Sequence, residues 1–347
     1  MPAIQKDFDE RRYVRAESAA LKKRIRFFGG RLYLEVGGKF YNDGHAARVL
    51  PGYDPDTKVR LLRKFKGRLQ LVQCISALMI NQGKARGETR VLYSDQLVED
   101  IKILSKKGLG TEAVFISRVS GRTKRAADAM KRKLQRSFGR SGIKIIFGYE
   151  IPGYPRDLRT ILSGRGYGRQ AYLEDGDRLT VVTAPGPGSG KMAFCMAQMY
   201  ADRQRGACSG YAKIETFPVW NLPLGHPVNV AYEAATADIG DYNVIDRLHM
   251  RAYGRTAVNY NRDVENFAIM QRIVHAMAAA DDPMRRYRSP TDMGIGCTKA
   301  GIVADDIVRQ SAEVEVLRRY WQCRHDYESG RAGAATMRRM ERLLRKI

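Results

Sequence analysis

The chain has 347 residues, 44% of them hydrophobic, and 61 Lys and Arg against 37 Asp and Glu give it a formal net charge of +24. That length buries a large core and suggests about two domains. The five cysteines (Cys74, Cys195, Cys208, Cys297, Cys323) are scattered and form no C-x-x-C pair, so neither a disulfide framework nor a zinc cluster is indicated and a reducing cytoplasm fits best. The start, Met1 to Arg15, is charged, and no run approaches the ~20 apolar residues that cross a bilayer, so secretion and membrane spanning are not expected.

Charge is uneven: residues 1–150 hold 33 basic and 15 acidic side chains, residues 151–347 hold 28 and 22. A basic first lobe is compatible with a polyanion, although a solvated, arginine-rich surface is the preferred explanation.

In chain order, Gly29-Gly30 and Gly37-Gly38 bracket a first strand, Leu32–Val36. Asn42 to Arg48 and Pro51 to Pro55 then read as a loop into a short helix, in which Asp43, His45 and Arg48 are candidates for a minor site. Further strands are expected at Leu69–Ile75, Ala113–Ser117, Ile143–Phe147, Leu179–Thr183 and Tyr211–Thr216. Between them Leu97, Val98, Ile101 and Leu104 share one helical face, and Ala126, Met130 and Leu134 share another in a helix stopped by Gly139. That second helix carries Arg122, Lys124, Arg125, Lys131, Arg132, Lys133 and Arg136 on its outer faces; with no aromatic residues among them, a solvated face is the better reading. Alternation of strands and helices indicates an α/β fold with a mostly parallel, doubly wound sheet, Rossmann-like or P-loop-like, followed by a helical C-terminal segment.

The bends at Ile151 to Pro155 and Ser163 to Gly168 mark a lobe boundary, so the expected organisation is an α/β domain over 1–300, in lobes 1–172 and 173–300, and a helical segment over 301–347. The second lobe opens with the most informative stretch of the chain, Val181 to Met192, where a β-branched strand runs into Thr183-Ala184-Pro185-Gly186-Pro187-Gly188-Ser189-Gly190-Lys191-Met192. Glycines let successive amides turn inward, the next helix adds its positive end, and Lys191 adds a charge. Against G-x-x-x-x-G-K-[ST], Pro185 stands in place of the first glycine and Met192 in place of the hydroxyl. A thioether does not hold magnesium, so any metal needs a carboxylate elsewhere or the phosphates of the substrate.

After an apolar helix at Met192–Arg203, Glu215 ends its strand and prolines hold Phe217 to Pro223 extended. If the strands ending at Thr183 and Thr216 are neighbours, Glu215 lies near the phosphate loop as metal ligand or base. Asp238 is the second carboxylate candidate, and Asn221, Asn261, Arg262 and Asp292 offer amide and charge in short polar stretches. From Val303 onward the pattern is helical, with Ile307, Val314, Leu317 and Trp321 at core spacing. Met337, Met340, Leu343, Leu344 and Ile347 make a last apolar face that is expected to be left without a partner at the chain's end.

At the phosphate loop, at Ala212 to Pro223, at His226 to Asn229, at Tyr232 to Asp238, at Val258 to Glu265, at Ser289 to Gly294 and at Phe28 to Glu35 the chain resembles a bacterial family of unknown function over nearly its whole length. Members of that family have been labelled ATP-dependent peptidases, but this sequence has no H-E-x-x-H, no G-x-S-x-G and no evident Cys/His pairing. The resemblance also implies a further C-terminal α/β domain that this chain lacks, with 301–347 as its start. The expectation is therefore a cytoplasmic protein binding ATP, another nucleotide or a small phosphorylated metabolite, with the magnesium requirement open, and extending to phosphotransfer or hydrolysis. Lys191, Glu215 and Asp238 would do the chemistry. The ligand would be held by Thr183, Pro185, Gly186, Gly188, Ser189, Gly190, Lys191 and Met192, with Asn221, Asn261, Arg262 and Asp292 around them. A homo-oligomer is expected. The alternative is a non-catalytic, nucleic-acid-associated protein that uses the basic lobe.

Overall fold

The computed structural model describes residues 7–87, 89–139, 141–174 and 178–347, so part of the charged start lies outside the described residues. Helix α1 (Glu10–Phe27), whose first turn is capped by the Asp9 carboxylate, leads into β1 (Leu32–Val36). Short helices α2 (Gly44–Val49) and α3 (Thr57–Arg63) precede β2 (Leu69–Ser76), and α4 (Ala77–Asn81) and α5 (Tyr93–Lys106) precede β3 (Thr111–Val119). Then come α6 (Lys124–Phe138), β4 (Lys144–Tyr149), α7 (Leu158–Ile161), β5 (Leu179–Thr183), α8 (Lys191–Gln204) and β6 (Gly210–Ile214). The remainder runs α9 (Pro227–Ala235), β7 (Asn243–Ile245), α10 (Arg247–Tyr253), β8 (Val258–Tyr260), α11 (Asn261–Met277), α12 (Pro290–Met293), β9 (Gly294–Ile295), α13 (Asp305–Glu328) and α14 (Ala334–Leu344).

The fold is α/β: a seven-stranded sheet in the order β4-β3-β2-β5-β1-β6-β9, every neighbouring pair parallel. Strands buried on both faces explain the near-continuous apolar runs of the sequence, and β1, β2 and β5 are buried at every position. Helix α8 covers one face, where Phe194 meets Tyr33 and Phe115. Phe28, at the end of α1, packs against Gly210 from the other face, where α5 and α6 enclose Val114 and Ile116. Strands β1 and β5 match the expected boundaries residue for residue. The two-stranded β7-β8 pair and the two-residue β9 carried too little pattern to be anticipated.

The structure departs from the sequence reading at four places. Strands β5 and β6 are not neighbours; β1 lies between them. Ile307, Val314, Leu317 and Trp321 are exposed, because α13 turns Val308, Ala312, Glu315 and Val316 inward instead. The last apolar face is covered except at its end: Met337, Met340 and Leu343 are buried, Met340 and Leu343 pack in the cluster that holds Val228, Ala231, Val308 and Val316, and Ile347 stays exposed. In α6 the buried stripe is Ala127, Met130 and Leu134, one residue off at its start.

Candidate site at the carboxyl ends of β5, β1 and β6

Because β1 runs between β5 and β6 in parallel, the loops that leave all three strands emerge side by side, the place where open α/β sheets hold ligands. The loop after β5 is pinned through its carbonyls. Arg86 Nε donates to the Pro185 carbonyl at 2.8 Å, Ser189 Oγ to that of Gly186 at 2.8 Å and Ser117 Oγ to that of Ser189 at 2.9 Å. The amide N–H groups of Gly186, Gly188 and Gly190 donate to no protein acceptor among the described residues, while Ser189 is buried and closes the turn through Pro187 and Gly188. Gly188 and Gly190 sit at φ +74° and +93°, a region a side chain rarely enters. A Cβ would also collide with Met79 at Gly188, with Tyr93 at Gly186 and with Ser117 at Gly190, so close packing as well as amide exposure asks for glycine here.

Helix α8 begins at Lys191, whose Nζ lies 3.4 Å from Oε1 of Glu35 on β1. The period of two along a strand then builds a row of polar groups on that face of the sheet. Tyr211 Oη donates to Glu35 Oε2 at 2.9 Å, and Lys213, level with Glu35 in the register, bridges Glu215 Oε1 at 2.7 Å and Asp263 Oδ2 at 2.5 Å. Glu215, just past the strand, continues the row and packs against Gly37, where a Cβ would strike its carboxylate. The buried Lys58 holds that β1 exit loop from behind, donating to the carbonyls of Gly37 at 3.1 Å and Lys39 at 2.9 Å.

Burial pushes the Glu215 carboxyl up to about 7, against the opposing pull of Lys213. Burial alone would lower Lys213, but Asp263, Glu215 and Glu35 outweigh it and hold the ammonium well above the ordinary lysine range. Lys213 is therefore a fixed positive charge beside a glutamate whose carboxyl is raised toward neutrality. A small recess opens beside them, lined among others by Lys213, Glu215, Asp263, Asn259 and Met192. A second small recess shares Met192, Asn266 and Met270 with it and is otherwise largely apolar, with Tyr154, Pro155 and Ile273 in its wall.

Of the residues singled out in the sequence, Met192 and Glu215 line this recess, Lys191 is linked to it through Glu35, whose carboxylate accepts from the Tyr211 hydroxyl in its wall, and Thr183 to Gly190 lead up to Lys191. Arg262 is paired with Asp241, and its charge reaches Tyr93, which touches the loop at Gly186. The others are placed elsewhere. Asn261 accepts from the Tyr242 amide at 3.1 Å at the start of α11, and Asp292 accepts from the Ser289 amide in the capping box of α12. Asn221 is exposed and its carbonyl accepts from Lys299. Asp238 follows α9 in a 3-10 turn rather than sharing its helix, and its carboxylate lies against Gly87. Asp43 caps α2, while His45 and Arg48 bind Glu315 of α13, so these three are structural.

Glu35, Lys213 and Asp263 were not singled out from the sequence. Their signal was present: a glutamate in the apolar run Leu32-Tyr33-Leu34-Glu35-Val36 and the alternation Tyr211-Ala212-Lys213-Ile214-Glu215 both place charge inside a buried sheet. Among the described residues no group of three His, Cys, Asp or Glu side chains is arranged to hold a metal ion, and no helix is long and apolar enough to cross a membrane. On α6, Lys124 and Lys131 stand over the ring of Phe147 and Lys133 pairs with Asp95.

Comparison with known proteins matches residues 6–347 to a family described as "Domain of unknown function DUF1846, N-terminal". The UPF0371 protein SUB1165 of Streptococcus uberis is 42% identical over 340 residues, 98% of this chain and 67% of its own length. UPF0371 proteins of Streptococcus pneumoniae serotype 4 and of Streptococcus thermophilus (str1377) match with the same identity and coverage. The chain spans about two thirds of the length of these relatives. It belongs to the DUF1846 family of UPF0371 proteins.

Proposed function

We propose that the protein binds a nucleotide or another phosphorylated metabolite, with its phosphate on the 184–191 loop and its body over the adjoining open recess. The observation that carries this reading is the set of unclaimed amides at Gly186, Gly188 and Gly190, which precede a 14-residue helix and the charge of Lys191. Oriented amides and a helix N-terminus attract an anion without any metal. Glu215, with a carboxyl near 7, is suited to hold or release a proton close to the bound body of the ligand, the requirement for general acid or base chemistry at neutral pH. A phosphotransfer or hydrolysis reaction would use Lys191 and Lys213 to stabilise developing negative charge.

The test is a thermal-shift screen of nucleotides and phosphorylated metabolites, each beside its unphosphorylated counterpart, with and without EDTA. Binding at one hundred times Kd stabilises by about 2.7 kcal/mol, a shift easily read. Only phosphorylated compounds are expected to stabilise, and to do so in the chelator as well. If none does, or if chelation abolishes every shift, the reading fails. Steep loss of polyanion binding with salt, without any mononucleotide response, would favour the nucleic-acid alternative.

A further inference from the structure

The two edges of the large sheet are finished differently. At β9 the carbonyls are taken: the Arg24 guanidinium donates to those of Met293 and Gly294 at 3.4 Å, and Trp220 Nε1 donates to that of Gly296 at 2.9 Å. At β4 the finish stops partway. Tyr149 turns its amide and carbonyl away from β3, and the Gln170 side chain meets both as a neighbouring strand would, accepting from the amide at 2.8 Å and donating to the carbonyl at 3.3 Å. The next residue, Glu150, donates its amide back to Val119 at the end of β3. These directions alternate along a strand, so Ile145 and Phe147 also turn amide and carbonyl outward. Neither finds a protein partner there among the described residues. Ile145, Ile146 and Phe147 are half-buried, so this stretch is held in place as a template for a further strand.

The charges around the edge say what kind of strand fits. Lys124 and Lys131 of α6 stand over the Phe147 ring, Lys144 is exposed at the start of β4, and Arg169 lies 4.2 Å over the Tyr149 ring at its end. Lys124 bonds Asp128, but Lys131, Lys144 and Arg169 pair with no carboxylate among the described residues. Glu150 lies past the Gln170 closure, beyond the open stretch. Lysines can guard an edge against pairing, but Lys124 and Lys131 lie on the α6 face, beside the open backbone groups and not across them. We propose that the edge of β4 binds an extended acidic segment of a partner protein as an eighth strand, its backbone bonded to Ile145 and Phe147. Side chains of the added strand alternate between faces, so its carboxylates reach Lys124 and Lys131 on one face and Lys144 on the other. A second copy of the chain is a poor occupant. Antiparallel pairing about a two-fold axis keeps both α6 helices on one face of the joined sheet and sets their lysines side by side. Nucleic acid would meet the same charges but has no amide and carbonyl ladder to offer Ile145 and Phe147.

Fluorescence anisotropy on the whole chain with a labelled peptide, acetyl-Glu-Val-Glu-Val-Glu-Val-Glu-amide, tests this. Binding in the micromolar range is expected. The same peptide N-methylated at every residue keeps its charge and loses its donors, and it is expected to bind at least tenfold more weakly; this comparison needs no altered protein. Ile145→Pro removes an outward N–H while leaving the ladder to β3 its donors, and it is expected to weaken peptide binding at least tenfold. Lys131→Glu and Lys144→Glu, both at exposed positions, are each expected to weaken it at least threefold with unchanged circular dichroism. No binding of the glutamate peptide, equal binding of its N-methylated form, or tighter binding of a single-stranded RNA of equal charge that Ile145→Pro does not weaken, overturns the proposal.

Discussion

Glu35 on β1 and Lys191 at the start of α8 face each other at 3.4 Å, so the lysine that ends the glycine-rich loop is held by a carboxylate of the neighbouring strand. An arriving phosphate must share or displace that partner. Lys191→Met is expected to weaken binding of a phosphorylated ligand at least tenfold, or about 1.4 kcal/mol. Glu35→Gln is expected to strengthen it several-fold by releasing the ammonium. Calorimetry of both variants in EDTA checks the pair; equal affinity in all three proteins would remove Lys191 from the site.

Glycine in the loop answers to packing as well as to ligand. Gly190→Ala places a side chain at φ +93° and against Ser117 and is expected to cost about 2 kcal/mol or more, read from urea midpoints. Gly121 has open space around it and no positive φ, so Gly121→Ala is expected to stay within about 0.5 kcal/mol.

Two buried carboxyls give the protein an unusual pH response. Glu17 on α1 accepts from the Cys297 amide at 2.6 Å, and burial pushes it, like Glu215, up to about 7. A raised carboxyl makes the folded state bind its proton more tightly than the unfolded chain does. The two therefore favour folding below about 4.5, and that contribution is lost as pH rises toward 7. Glu17→Gln keeps the neutral form at every pH. It is expected to stabilise the protein at pH 8 relative to pH 5, by up to about 3 kcal/mol at 1.36 per unit; parallel stability curves for variant and parent would refute it.

Glu315 acts in the opposite sense. It is buried on α13 and binds His45 and Arg48 of α2 together with Arg318 and Arg319 of its own helix. Burial would raise its carboxyl, but these partners hold it far below the ordinary range. Its stabilising contribution is thus present above about 4.5 and is lost as pH falls through the depressed folded value. Glu315→Gln is expected to cost about 3 kcal/mol at pH 7, because it leaves arginine partners and a buried amide imperfectly matched. Hydrogen exchange should show α13 losing protection first; uniform loss across the sheet would contradict that role.

Affinity at the recess is expected to follow Glu215. As its carboxyl ionises above pH 7, repulsion should weaken binding of a phosphorylated ligand, and Glu215→Gln should flatten that dependence. A titration between pH 6 and 8.5 in which both proteins follow one curve would assign the pH dependence elsewhere.

The sequence by itself determined the α/β class, the positions of the six longer strands of the sheet and the place of the glycine-rich loop, because buried parallel strands and tight strand-to-helix turns leave local signatures in β-branched runs and glycine. It also brought forward Lys191 and Glu215. Only the tertiary structure decided that β1 lies between β5 and β6, and thereby that Glu35 meets Lys191 and stands level with Lys213. Strand order depends on how crossovers pack, which no local window records. The same holds for α13: two apolar faces read alike along the chain, and only docking on α2 and α9 decided that Val308 and Val316 go inward while Val314 and Trp321 face out. Local pattern specifies an element, and the choice of face follows from burial energies summed over elements far apart in sequence.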